Sequence, residues 1–69
     1  MEYSLEGTDF INLCDLLKAL SLVESGGQAK FAIANGEVHV DGELETRKRK
    51  KIRAGQNVSF AGQQIKVLP

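Results

Sequence analysis

Residues 25–42 read SGGQAKFAIANGEVHVDG, and the hydrophobic period changes within them. Ser25 followed by Gln28 has the S-x-x-Q spacing of a capping box, in which two side chains satisfy N–H groups that a first helical turn leaves without partners. A helix is therefore expected to start at Ser25. Ala29, Ala32 and Ile33 recur at helical spacing on one face, and their modest size suits close packing against another helix. This helix is expected to run to Asn35 and stop at Gly36, because a residue without Cβ readily enters the left-handed conformation that closes helices. Beyond Gly36 the period becomes two. Val38 and Val40 alternate with Glu37 and His39, and Asp41-Gly42 is a two-residue hairpin turn. A capped helix followed at once by a β-hairpin points to the α+β class.

Upstream, Phe10, Leu13, Cys14, Leu17 and Leu20 also recur at helical spacing, with Asn12, Asp15 and Lys18 on the opposite side. With Thr8 as N-cap, the spacing predicts a first helix over Asp9–Leu20, joined by a short connection to the second and packed against it. Tyr3–Glu6 alternates apolar with polar and predicts a short N-terminal edge strand before the turn at Gly7. Downstream, the return strand begins at Glu43 and Leu44, and a basic run separates it from Ile52. Gly55 marks a turn, Val58 and Phe60 alternate with Asn57 and Ser59, Gly62 turns the chain again, and Ile65 and Val67 complete the pattern. The expected architecture is two packed helices followed by a small antiparallel sheet, with no internal repeat and no low-complexity linker.

The 69 residues bound this to one domain, residues 1–69, since a chain so short buries only about 60% of its unfolded surface and cannot support two cores. An apolar fraction of 42% with 26% charged residues is that of a folding globular chain. Its apolar stretches are broken by Asn12, Asp15, Lys18 and Glu24, and none reaches the ~20 residues of a membrane-spanning helix. Met1, Glu2 and Tyr3 open neither a secretory signal nor a transit segment, so a cytoplasmic protein is expected. Cys14 is the only cysteine, which excludes an intrachain disulfide, and with His39 the only histidine a structural zinc site lacks ligands. No Cys/His pair in a plausible setting and no nucleophile-elbow motif is present, so neither catalysis nor a cofactor is expected.

A net charge of zero conceals a division. Residues 1–46 carry two basic and nine acidic residues, a charge of −7, whereas residues 47–69 carry seven basic and no acidic residues, a charge of +7. Arg47, Lys48, Arg49, Lys50, Lys51 and Arg53 place six of those charges in seven positions. In an extended chain Arg47, Arg49, Lys51 and Arg53 line one side and Lys48 and Lys50 the other, and neither side suits burial. The run is thus expected as an exposed loop anchored by Leu44 and Ile52. Its self-repulsion opposes folding and raises the local potential, which an anionic ligand explains most simply. A solvated loop and a nuclear localisation signal are the competing readings of the bare string.

The ordered set of features from Ser25 to Val58, "SGGQAKFAIANGEVHVDGELETRKRKKIRAGQNV", resembles the S-four RNA-binding domain, named after a small-subunit ribosomal protein, in its short free-standing bacterial form. The likeness spans at least residues 8–60. It implies a compact unit of two helices and a hairpin, the alpha-L motif, that grips structured RNA with the second helix and adjoining loops; it does not name the RNA, for which ribosomal RNA is the expectation. Carried onto this chain, the implied contacts are Ser25, Gly26, Gln28 and Lys30 on the helix and Arg47, Lys48, Arg49, Lys50, Lys51 and Arg53 on the hairpin, while Gly36, Val38, Val40 and Gly42 shape the motif. Gly26 and Gly27 depart from the basic residue that many relatives carry there, although glycines let backbone N–H groups approach an anion closely. Phe31, at a position often basic in relatives, is expected to pack against the sheet, with a base-stacking platform as the alternative.

So small a basic platform reads shape and backbone more than sequence, and the scarcity of aromatics disfavours single-strand stacking. His39 reads as a solvated strand residue, Cys14 as a buried thiol, and Glu43 and Glu45 as electrostatic shields of the basic run. The alternative class is a protein-interaction adapter that docks its basic hairpin on an acidic protein.

Overall fold

The computed structural model describes residues 1–69 and has the α+β architecture the period change demands. In chain order the elements are β1 (Glu2–Ser4), β2 (Ile11–Asn12), α1 (Leu13–Ala19), α2 (Gly26–Ala34), β3 (Val38–Val40), β4 (Glu43–Leu44), β5 (Lys51–Ile52), β6 (Asn57–Phe60) and β7 (Gln63–Leu68).

The second helix forms where its local signals put it. The Ser25 side chain accepts from the Gln28 N–H at 3.1 Å, and Gln28 Oε1 accepts from the N–H of Glu24 at 2.7 Å, one residue outside the usual capping-box partner. At the other end Gly36, with φ +80°, is the left-handed residue of a Schellman motif: its N–H donates to Ile33 O and that of Glu37 to Ala32 O.

The first helix begins four residues later than its spacing predicts. Thr8 does not cap it; the Thr8 hydroxyl instead donates to Leu5 O at 2.8 Å. Phe10 falls on the helical period by coincidence and stands outside the helix. Ile11 and Asn12 pair antiparallel with Ile52 and Lys51, and that pairing holds the chain extended until Leu13. At the far end Ser21 takes the left-handed position with φ 57°, and Leu22 N–H closes a second Schellman motif on Leu17 O.

The main sheet has the order β1-β7-β6-β3-β4. The β3–β4 connection is the Asp41-Gly42 turn, with φ 51° and 83°, the pair of positive values that a two-residue type I′ hairpin requires. Asp41 also ties this hairpin to the next, its carboxylate accepting from Asn57 N–H at 2.9 Å. β3, β4, β6 and β7 are antiparallel as expected, but β1 pairs parallel with β7, so the sheet is mixed. Leu13, Leu16 and Leu17 of α1 and Ala29, Ala32 and Ile33 of α2 pack on Val38, Val58, Ile65 and Val67 in one buried cluster. Fully burying each large apolar side chain contributes about 1.5–3 kcal/mol, so these few residues set the stability of so small a molecule. Ile52, wholly buried, joins β5 to the same cluster.

Candidate nucleic-acid interface

The basic run leaves the sheet after β4 and is tied down at the backbone along its length. Leu44, expected as an anchor, is 58% exposed; the anchor is its neighbour Glu45, the one buried charged residue. Glu45 N–H donates to Val38 O. Its carboxylate accepts from the Arg47 N–H at 3.0 Å, Nε at 2.9 Å and Nη2 at 3.1 Å. These bonds, above all those from the guanidinium, hold its carboxyl below the usual carboxylate range against the opposing effect of burial. The chain then turns through Lys48 and Arg49, with Lys50 N–H on Arg47 O.

The outer part of the run meets the start of α1. Lys50 O accepts from Leu13 N–H at 2.9 Å and Lys48 O from Cys14 N–H at 3.1 Å. Asn12, the N-cap, makes no side-chain cap of its own, so carbonyls of the basic loop satisfy donors that a first helical turn leaves open. The β2–β5 ladder and buried Ile52 follow immediately, and Arg53 N–H is held by Gln56 Oε1 at 2.8 Å.

With the backbone so fixed, the side chains are displayed differently from a pleated strand. The turn at Lys48–Arg49 interrupts the alternation, and Arg47, Arg49, Lys50 and Lys51 together line one open depression that contains no other residue type. Lys48 stands outside it. Lys51 Nζ lies 4.9 Å and Arg53 Cζ 5.6 Å from the centroid of the Phe10 ring, close enough for cation–π attraction of about 0.5–1 kcal/mol each at an exposed site. Arg47 and Glu45 form the sole ion pair in the molecule, so Lys48, Arg49, Lys50, Lys51 and Arg53 keep their charges unpaired. Glu45 therefore offsets the charge of Arg47 at contact and attracts Lys50 through space, whereas Glu43 pairs with none of the run.

The residues expected on the second helix form a separate set. Ser25 and Gln28 are engaged in capping, Lys30 is exposed, and a Cβ added at Gly26 would meet nothing within 4 Å. No hydrogen bond, ion pair or shared cavity joins this set to the basic loop. Phe31 does not pack against the sheet: at 69% exposure it stands in solvent, because Ala29, Ala32 and Ile33 already fill the inward face of α2. His39 is exposed and Cys14 buried. No group of three His, Cys, Asp or Glu side chains converges as a metal site, and no helix is long and apolar enough to cross a membrane. Sequence reasoning missed Phe10 and the Glu45 clamp. The signal for the second was available, since Glu45 and Arg47 lie two apart and share a side of an extended chain.

Two helices packed on a small sheet, with a cationic loop bonded to the start of the first helix, define a compact α+β module. The S4 domain family matches residues 3–68, and the chain belongs to that family. It is 58% identical over 66 residues to YbcJ of Escherichia coli strain K12, covering 96% of this chain and 94% of that one. The solution structure of E. coli YbcJ, described as revealing an αL motif involved in RNA binding, superposes with a TM-score of 0.77 at 56% identity, covering 99% of this chain and 86% of that one. A more distant relative is the "Probable ribosome maturation protein RlbA" of Bacillus subtilis strain 168, 34% identical over 55 residues, 80% of this chain and 78% of that one.

Proposed function

We propose that this protein, acting as one domain, binds structured RNA without catalysing a reaction, and that ribosomal RNA is the leading class of target. The observation that carries the reading is the depression lined only by Arg47, Arg49, Lys50 and Lys51, on a backbone held by α1, β2 and Glu45. Unpaired cations presented on a fixed frame attract phosphate at long range, and their N–H groups donate charge-assisted hydrogen bonds at short range. Arg49, which has no carboxylate partner, adds bidentate geometry. Lys48 and Arg53 extend the positive surface on either side, and Ser25, Gly26, Gln28 and Lys30 supply a second contact through the start of α2. Family membership, the αL motif of the YbcJ structure and the ribosome-maturation name of the Bacillus relative support the same reading.

Titration of a fluorescent RNA hairpin across a salt series tests it. The logarithm of the binding constant should fall linearly with that of salt, and Arg49→Ala should lower the slope's magnitude by about 1, the signature of one phosphate contact removed. Binding indifferent to both salt and this substitution would sink the proposal. A partner that the protein retains after ribonuclease treatment of a pull-down would replace RNA with an acidic protein.

A further inference from the structure

Beside the basic depression lies a cleft of about 230 Å³ lined by residues of the β3–β4 hairpin, the basic loop and Gln56. The two hollows share Arg47 and Lys50, so they adjoin. The cleft is smaller than the ~300–1,000 Å³ of most small-molecule sites. Its polar groups are nearly all engaged. Asp41 accepts from Asn57 N–H and Gln56 Nε2, Gln56 Oε1 accepts from Arg53 N–H, and both oxygens of Glu45 accept from Arg47. Two groups are free, the carboxylate of Glu43, exposed on β4, and the ammonium of Lys50, neither of which has a hydrogen-bond or ion-pair partner in the fold. Val40, the cross-strand partner of Glu43, is the apolar residue on its side of the hairpin.

We propose that this cleft receives one unpaired nucleobase of the bound RNA and that Glu43 selects guanine, an inference that rests on the RNA-binding reading of the adjoining depression. A backbone whose phosphates lie on Arg49 and Lys50 brings the next nucleotide to the cleft mouth, which Lys50 borders, on the side of β4 that carries Glu43. A carboxylate presents only acceptors. Guanine alone offers two adjacent donors on its Watson–Crick edge, N1–H and the N2 amino group, and both oxygens of Glu43 match them. Adenine and cytosine set an acceptor beside their amino donor, and uracil flanks its single N–H with two carbonyls, so each turns a lone pair toward the carboxylate. Unpaired bases in loops and bulges expose this edge, whereas a paired base hides it. The site thus adds base selection to a surface that otherwise reads backbone and shape.

The test uses the full chain and four versions of one RNA hairpin that differ only in a single bulged nucleotide, G, A, C or U, at fixed salt. The wild type should prefer the G bulge by about tenfold or more, the discrimination of a good bidentate pair. Glu43→Gln should abolish that preference and raise the relative affinity for A and C, whose adjacent donor and acceptor match a side-chain amide, with an unchanged salt slope because no phosphate contact is lost. Equal affinity of the wild type for all four RNAs, with the salt dependence intact, would overturn the guanine site alone. Uniform tightening of all four by Glu43→Gln would also overturn it, by reducing Glu43 to a repulsive charge. Salt-independent binding, or none, would overturn the RNA-binding proposal and the guanine site together.

Discussion

The two helices are similar in length and share one core, yet they are made in opposite ways. α2 carries its own instructions, with a Ser25 cap at one end and a Gly36 stop at the other, both within a few residues of the helix. α1 borrows its start. Its first N–H groups are satisfied by Lys48 and Lys50, more than thirty positions downstream, and its last turn closes on Ser21, a serine in a conformation that suits glycine. Both ends of α2 are closed by neighbouring residues, whereas the start of α1 is coupled to the basic loop. Anything that orders the loop therefore also orders the start of α1, and the reverse.

Ile52→Ala attacks that coupling hardest. Removing this wholly buried side chain from the β2–β5 ladder should cost about 2–5 kcal/mol, read by urea denaturation. Hydrogen exchange at Leu13 and Cys14 should accelerate before exchange in α2 does. Glu45→Ala comes next, at about 1–3 kcal/mol, because it leaves the Arg47 N–H without its carboxylate. Its penalty should depend on pH. The folded pKa of Glu45 is lowered, so its stabilisation is fully present above the ordinary carboxylate value of about 4.3 and is lost as pH falls through the lowered value. The stability gap between wild type and Glu45→Ala should therefore narrow in acid.

Ser25→Ala should cost about 1 kcal/mol through the lost cap and leave exchange at Leu13 and Cys14 at the wild-type rate; acceleration there would erase the distinction between the helices. Ser21→Gly is the smallest change and has the opposite sign. It relieves roughly 1 kcal/mol of left-handed backbone strain, partly offset by the greater freedom of glycine in the unfolded chain. A gain of a few tenths of a kcal/mol in denaturation, confined to the end of α1, is expected.

The same contrast explains what the sequence discloses. α2, the Asp41-Gly42 hairpin and the alternation of β6 and β7 rest on residues within a few positions of one another, and all were legible. The start of α1 was not, because the residues that hold Ile11 and Asn12 extended are Lys51 and Ile52, and no local pattern announces such a pairing. The parallel seat of β1 is hidden for the same reason. Of the candidate site, the identity of the cations was plain, but their geometry was not. Only the turn at Lys48–Arg49 gathers Arg47, Arg49, Lys50 and Lys51 about one depression. Phe31 was misjudged because an aromatic on a helix normally implies burial, and here the small residues of α2 had already filled the inward face.

The seat of β1 also bears on how the molecule is assembled during synthesis. β1 leaves the ribosome early, but its partner β7 is near the opposite end of the chain, and the ladder is finished by Ser4 bonding to Pro69, 65 residues away. Closing so long a loop carries most of its entropic cost before any contact is gained. Both helices and the β3–β4 hairpin can be made while β1 waits unpaired, and the sheet is completed by its oldest strand.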